Sequence, residues 1–260
     1  MRPLIAKIKP ASGFSRVAHV GLNILLAILV FALVRINFVQ LALALILLSK
    51  WRMFVVRPRF WLANIRANAV DIIVSVSLLL FMVHSGSATG GGQWWQLGWT
   101  ALYALWLLVI KPASNTLMVA SQALIGLLFG LTALFIGLGD QALYYLVLLS
   151  SLICYLSARH FFDSFDEPYA KLLSYLWAYF AGGLVWILGH WLLFYSFMAQ
   201  PTLLIVALGY ALAALYYLDH YDRLTKLVRL EILITSSAIV LAVVASLAVN
   251  VITTVRALFR

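Results

Sequence analysis

The fold is decided by residues 116–157, which read TLMVASQALIGLLFGLTALFIGLGDQALYYLVLLSSLICYLS. Asp140 is the only charged residue in this stretch, and the Gly139-Asp140 pair separates two apolar runs in the way that a tight turn does. A helix of about 20 apolar residues crosses the roughly 30 Å of hydrocarbon in a bilayer. The stretch therefore predicts two membrane-spanning helices, residues 116–138 and 141–157.

The rest of the chain has the same apolar character. Of its 260 residues, 65% are hydrophobic and 10% are charged, whereas soluble domains are roughly half apolar and a quarter charged. The single cysteine, Cys154, excludes a disulfide scaffold, and the apolar content excludes a basic nucleic-acid binder despite the net charge of +10. We expect an all-α, polytopic integral membrane helical bundle that forms one domain over residues 1–260.

Nine apolar runs are candidates for transmembrane helices. They are residues 17–34, 38–49, 69–83, 94–110, 116–138, 141–157, 172–198, 202–218 and 232–252. The second run is short for a span, so eight crossings result if residues 38–49 form a re-entrant segment. Gly126 and Gly130 form a Gly-x-x-x-Gly pattern, which predicts close approach of a neighbouring helix.

The basic residues predict the orientation. With the N-terminus in the cytoplasm and nine crossings, fifteen of the eighteen Lys and Arg residues lie on the cytoplasmic side, and the exceptions are Arg35, Arg256 and Arg260. This bias follows the positive-inside rule. We therefore expect a plasma (inner) membrane protein whose residues 1–16 form a basic cytoplasmic N-terminus and whose C-terminus lies outside.

Residues 50–68 form a basic segment in which aromatic residues alternate with arginines. The arginines are Arg52, Arg57, Arg59 and Arg66. Aromatic rings favour the membrane–water interface, and guanidinium groups meet lipid phosphates there. The segment is predicted to lie in the headgroup layer and to bind anionic headgroups of the cytoplasmic leaflet.

Most of the acidic residues gather in or next to two polar cytoplasmic loops, residues 159–171 and 219–229. Six of the eight acids lie there, accompanied by two histidines. A divalent-metal site would draw on the loop residues His160, Asp163, Asp166, Glu167, Asp219, His220 and Asp222. Oxygen-rich ligands suit Mg²⁺ or Mn²⁺, and all of these residues except Glu167 are also candidate catalytic groups for chemistry on a phosphate.

The same loop residues have a structural interpretation. Asp166 precedes Glu167-Pro168 as a helix N-cap would, and Glu167 and Lys171 form an i,i+4 pair of the favoured order. Asp71, near the start of its span, is interpreted in the same way as a helix cap. The spacing of the loop residues matches no metal or phosphatase motif, so the sequence favours a structural role.

Three classes of function remain. The sequence favours a non-catalytic membrane subunit or scaffold that meets membrane or cytoplasmic protein partners through its charged cytoplasmic face, without a cofactor. A transporter is the first alternative, and it requires a polar cavity at mid-membrane built from groups such as Asn23, His190, Ser236, Ser237 and Asn250. A metal-dependent enzyme acting on lipid-linked phosphates through the two polar loops is the second.

Overall fold

The structure is a computed structural model that describes residues 13–86 and 91–258, with side chains described between residues 17 and 249 except residues 87–90 and 247. It is all-α and 83% helical, which confirms the all-α part of the predicted fold class. Most of the predicted basic N-terminus, residues 1–12, lies outside the described residues, as do the side chains of Asn250 and Arg256.

Ten α-helices form within the described ranges. They are α1 (Gly13–Arg35), α2 (Val39–Leu48), α3 (Trp61–Ala67), α4 (Ala69–Gly86), α5 (Gly92–Leu105), α6 (Thr116–Leu138), α7 (Leu143–Asp163), α8 (Ala170–Leu188), α9 (Gln200–His220) and α10 (Lys226–Leu258). Short 3₁₀ turns cover Trp51–Phe54, Pro58–Phe60 and Gly189–Trp191, and a π-helical turn, Trp106–Ile110, extends α5.

Seven of these helices are long and apolar enough to cross a membrane: α1, α4, α6, α7, α8, α9 and the first 21 residues of α10. Two of the nine predicted runs form shorter α-helices. Helix α2 has 10 residues, and α5 has 14 before its path widens into the π-turn. The structure thus contains seven candidate membrane-spanning helices.

Helices α1 and α2 form a helical hairpin, in which α2 runs back along α1. The turn between them uses Asn37, whose φ of 61° is accessible to asparagine at little cost, and the Phe38 N–H donates to the Leu33 carbonyl at 2.9 Å. Lys50, just beyond α2, lines the same cavity as His19 near the start of α1. The chain at Lys50 is therefore back at the end of the bundle where α1 begins.

The predicted span over residues 172–198 is shorter in the structure. Helix α8 ends at Leu188, and residues 194–199 form a small antiparallel hairpin in which Phe194 pairs with Ala199. The hairpin turn contains Ser196 at a φ of 60°. Because this turn is as apolar as the helix before it, hydropathy alone does not locate the helix end.

Helix α6 lies at the centre of the bundle and packs against α4, α7 and α9. One buried cluster joins α1, α2, α4 and α5, and a second joins α6 to α7, α8 and α9. A Cβ at Gly126 would lie 2.9 Å from Val70 Cγ1, and one at Gly130 would lie 2.6 Å from Ile73 Cγ2. The predicted close approach at the Gly-x-x-x-Gly pattern is confirmed, with α4 as the neighbouring helix.

Side-chain contacts define one end of the bundle, which we call the basic end. Lys50 and Lys111 both contact Asp71 there, and the Thr116 and Tyr221 hydroxyls lie 2.6 Å apart. His160 joins the same end through Gln122. The opposite end includes Arg35 and Gln96, whose side chains are hydrogen-bonded, together with the Gly139 turn and the β-hairpin.

Candidate functional site

Asp71, in the first turn of α4, is the centre of a buried polar cluster at the basic end. Its Oδ2 atom contacts the Lys50 Nζ and lies 2.7 Å from the Lys111 Nζ, while its Oδ1 accepts a hydrogen bond of 3.0 Å from Trp106 Nε1. The cluster joins the segment after α2, the start of α4 and the end of the α5 segment. Asp71 is therefore an ion-pair centre, and its interpretation as a simple helix cap was incomplete.

The π-turn explains how Trp106 and Lys111 reach the same carboxylate. In an α-helix of 3.6 residues per turn, residues five apart point about 140° away from each other. Here the Lys111 N–H donates to the Trp106 carbonyl at 2.9 Å, the i to i+5 pattern of a π-helix, and the wider turn reduces that angle. The local backbone thus places an indole N–H and an ammonium on one face, toward Asp71.

The cluster carries one more positive than negative charge. Two ammonium groups share one carboxylate oxygen, and only one of them is fully buried: the Lys50 side chain is 4% exposed and that of Lys111 is 37% exposed. Burial lowers the pKa of Lys50 to about 8; the Asp71 carboxylate opposes this shift and the Lys111 ammonium adds to it. An additional anion near these lysines would be favoured electrostatically.

Both lysines line a polar cavity of about 620 Å³ at the basic end. Besides them, the polar groups on its wall are Arg52, His19, Asn23, Ser49, Asn64 and Asn68. The described residues that line it include three cations and no carboxylate. The remaining wall consists mainly of leucines from α1, α2 and the π-turn, so the cavity has a cationic part and an apolar part.

The interfacial segment predicted over residues 50–68 borders this cavity. It folds as two 3₁₀ turns followed by α3, and its four arginines, Arg52, Arg57, Arg59 and Arg66, are exposed. Exposed aromatic rings accompany them: Phe54 packs edge-on against Trp61 at 5.6 Å, and the Arg59 guanidinium lies 4.6 Å from the Phe60 ring centre. Of the four arginines, Arg52 alone lines the cavity.

The seven residues of the predicted metal site have separate surroundings. Asp163 pairs with Arg159 at 3.0 Å, and Glu167 accepts a hydrogen bond from the Tyr216 hydroxyl. The His220 ring packs against Phe165. Over residues 13–86 and 91–258, no group of three or more His, Cys, Asp or Glu side chains is placed to hold a metal ion.

Asp166 and Asp222 have a backbone role that the sequence did not indicate. Their φ angles are 50° and 53°, in the left-handed region that aspartate tolerates better than most residues. The N–H after Asp222 donates to the Leu218 carbonyl at 2.8 Å, closing the end of α9. Asp166 occupies the corresponding turn after α7, whereas the residue preceding α8 is Tyr169, so the N-cap prediction for Asp166 was wrong.

Gln122 connects His160 to the π-turn. Its amide nitrogen donates to the Ile110 carbonyl at 2.6 Å and to the Ala113 carbonyl at 2.9 Å, and its amide oxygen lies 3.0 Å from His160 Nε2. The last carbonyls of a helix lack partners within the helix. Gln122 gives the Ala113 carbonyl a partner and gives a second one to the Ile110 carbonyl, which also accepts from the Ala113 N–H at 3.2 Å. His160 thus contributes to the packing of α6 against α7.

A second cavity, of about 950 Å³, lies between α6, α7, α8, α9 and α10. Its wall is almost entirely apolar; Ser236 and Ser237 of α10 are among the few polar residues that line it. Asn23 lines the other cavity, and His190 is exposed near the opposite end, with its Nδ1 atom 2.8 Å from the Trp186 carbonyl. The polar residues expected around a transport path are therefore distributed over three places.

Asp71, Gln122 and the π-turn were not predicted from the sequence as parts of the site. A signal for Asp71 was present, because it is the only acidic residue before Asp140 and eleven basic residues share that part of the chain. No protein-family model, curated protein or solved structure matches the chain.

Proposed function

We propose that the chain is a multi-pass plasma-membrane protein with nine transmembrane segments, whose basic end faces the cytoplasm and binds anionic lipid headgroups. In this proposal it acts as a non-catalytic membrane subunit or scaffold. The observation that carries the proposal is the interfacial segment, where exposed arginines and exposed aromatic rings lie together at the end of an apolar bundle.

The position of the shorter α2 and α5 segments supports nine crossings. Helix α2 brings the chain back to the basic end at Lys50, and α5 with its π-turn leads from Gln96 at the opposite end to Lys111 at the basic end. Each segment thus connects the two ends, as a crossing requires. With both counted, the basic residues from Lys50 to Arg66 and Lys111 share one side of the membrane, in agreement with the positive-inside rule.

Single-cysteine labelling tests the topology. The buried Cys154 is first replaced by alanine. A single cysteine is then introduced at Ser114 or at Gln141, two exposed positions that flank the two ends of α6. In intact cells, a membrane-impermeant maleimide should label the Gln141→Cys protein, and should label Ser114→Cys only after permeabilisation. The reverse pattern would overturn the orientation, and labelling of both in intact cells would overturn the crossing.

The scaffold role is tested through the exposed acids of the basic end. Asp166→Asn and Asp222→Asn remove charge while keeping a residue that tolerates positive φ. A stoichiometric partner that copurifies in mild detergent should be lost from this double variant and retained by Asp140→Asn, an exposed acid at the opposite end. Recovery of the wild-type chain as a lone monomer would contradict the scaffold role.

Transport and metal-dependent catalysis have less support. A transporter needs polar groups along one path through the membrane, and Asn23, Ser236 and His190 lie at three separate sites. An enzyme built on the polar loops needs convergent ligands, whereas Asp163 and Glu167 have individual partners. The contacts of these residues favour the structural interpretation of the loops.

A further inference from the structure

We propose that the polar cavity at the basic end is a specific binding site for one anionic phospholipid, with the phosphate held by Lys50, Arg52 and Lys111. This inference rests on the proposed membrane function and deepens it. It assigns a defined site to one lipid molecule, which differs from the general attraction of the interfacial arginines for the membrane surface.

The charge of the cavity selects an anion. Three cations line it, the described lining residues include no carboxylate, and the one acid nearby, Asp71, is already shared by two ammonium groups and an indole N–H. A lysine ammonium has three N–H donors. Asp71 is the only acceptor that the described residues provide to Lys50 Nζ, so donors remain for a further oxygen ligand.

The polar wall suits a phosphate with a headgroup attached. Asn64 and Asn68 each use the amide nitrogen to bond a backbone carbonyl, which leaves their amide oxygens for hydroxyl groups of a headgroup. The volume of about 620 Å³ is within the range of about 300–1,000 Å³ typical of ligand sites. The cavity therefore has room for more than an inorganic ion.

The apolar wall favours a lipid over a soluble phosphate. Leu22, Leu25, Leu26 and Leu29 of α1 line the cavity along successive turns of that helix, and Leu45 of α2 faces the same space. Such a wall would contact an acyl chain extending from the phosphate toward the bilayer interior. A soluble phosphate would leave it without a partner, at the cost of apolar surface kept in water.

Native mass spectrometry of the full-length protein in detergent tests the site, with phosphatidylglycerol as the probe. We expect one tightly retained phosphatidylglycerol, and weaker retention of a diacylglycerol with the same acyl chains. Arg52→Gln and Lys111→Gln should each weaken phosphatidylglycerol binding about fivefold, the equivalent of about 1 kcal/mol per basic residue near an anionic lipid. Arg57→Gln is the matched control, because Arg57 is exposed on the same segment without lining the cavity.

Arg52→Gln and Lys111→Gln differ in their expected effect on the fold. Lys111 also pairs with Asp71, so its substitution can disturb the fold, whereas Arg52 is exposed and makes no ion pair within the described residues. Unchanged phosphatidylglycerol binding by Arg52→Gln and Lys111→Gln would overturn the site. Complete displacement of the lipid by an excess of inorganic phosphate would show that a soluble phosphate is the ligand and would overturn the lipid assignment.

The two proposals fail in different ways. If the labelling experiment places the basic end outside the cell, the proposed orientation is wrong while lipid retention in detergent is unaffected. If the labelling pattern is as expected and the cavity variants bind lipid as the wild type does, the membrane function stands and the specific site is wrong.

Discussion

Asp71 and Asp163 both pair with cations at the basic end, but the first carboxylate is buried and the second is exposed. The Asp71 side chain is 9% exposed and has two lysines and an indole N–H as partners. The Asp163 side chain is 44% exposed and pairs with Arg159 one helical turn away. Removing one partner from a buried pair leaves an uncompensated charge, whereas water readily replaces a partner at the surface.

The largest effect is expected for Asp71→Asn. The substitution leaves the Lys50 and Lys111 ammonium groups close together without a counter-charge, so the free energy of unfolding should fall by about 3–5 kcal/mol. Unfolding in mixed detergent–SDS micelles, followed by circular dichroism, measures the change. Asp140→Asn, at an exposed turn, is the control and should unfold like the wild type. Equal stability of the two variants would contradict the proposed role of burial.

A smaller loss in the free energy of unfolding is expected for Gln122→Leu, which tests the connection between the π-turn and α7. The change removes the amide N–H donors to the Ile110 and Ala113 carbonyls and leaves His160 without its amide partner. The Ile110 carbonyl keeps a backbone hydrogen bond from the Ala113 N–H. Loss of a partner for buried polar groups costs about 1–3 kcal/mol each, part of which water recovers at this end of the bundle. The same SDS titration measures the loss.

Gln141→Leu is the control for this prediction, because Gln141 is exposed in the turn between α6 and α7. If both glutamine variants lose the same stability, the hydrogen bonds of Gln122 contribute nothing specific to the fold.

Gly130→Ala tests the packing of α6 between α4, which carries Asp71, and α7, which carries Asp163. An added Cβ would lie 2.6 Å from Ile73 Cγ2 of α4 and 2.9 Å from Ile153 Cγ2 of α7. Overpacking costs about 1–3 kcal/mol, and we expect a loss in this range because both obstructing methyl groups are bonded directly to the Cβ of an isoleucine, whose χ1 is restricted in a helix. In the control Gly183→Ala, the new Cβ meets no atom within 4 Å, so no loss is expected.

The sequence predicted the helices well where polar breaks separate them, and less well elsewhere. Hydropathy located all seven candidate spans because apolar length alone defines them. It missed the end of α8 because the residues after Leu188 are equally apolar, and it missed the π-turn because Trp106–Ile110 contains no glycine or proline. The π-turn places Trp106 and Lys111 at Asp71, a tertiary contact that local sequence patterns do not show.

The candidate site shows the same division between local and tertiary information. The four interfacial arginines were predicted from local composition, and all four are exposed in the structure. The meeting of the cavity lysines was not predicted, because Lys50 and Lys111 are 61 positions apart and local patterns do not show such a contact. The available signal for the site was Asp71, the one carboxylate that accompanies eleven basic residues before Asp140.

The smallest effect is expected for Asp163→Asn, which makes the same chemical change as Asp71→Asn at an exposed carboxylate. Exposed i,i+4 pairs contribute about 0.3–0.5 kcal/mol, and salt screens them. The SDS titration should therefore show a loss below about 0.5 kcal/mol. Repeating it at higher ionic strength should bring Asp163→Asn to the wild-type value while Asp71→Asn remains destabilised, because salt screens interactions of an exposed carboxylate more than those of a buried one. A loss at Asp163 as large as at Asp71 would show that the ion pair itself, and not its burial, determines the contribution of these carboxylates.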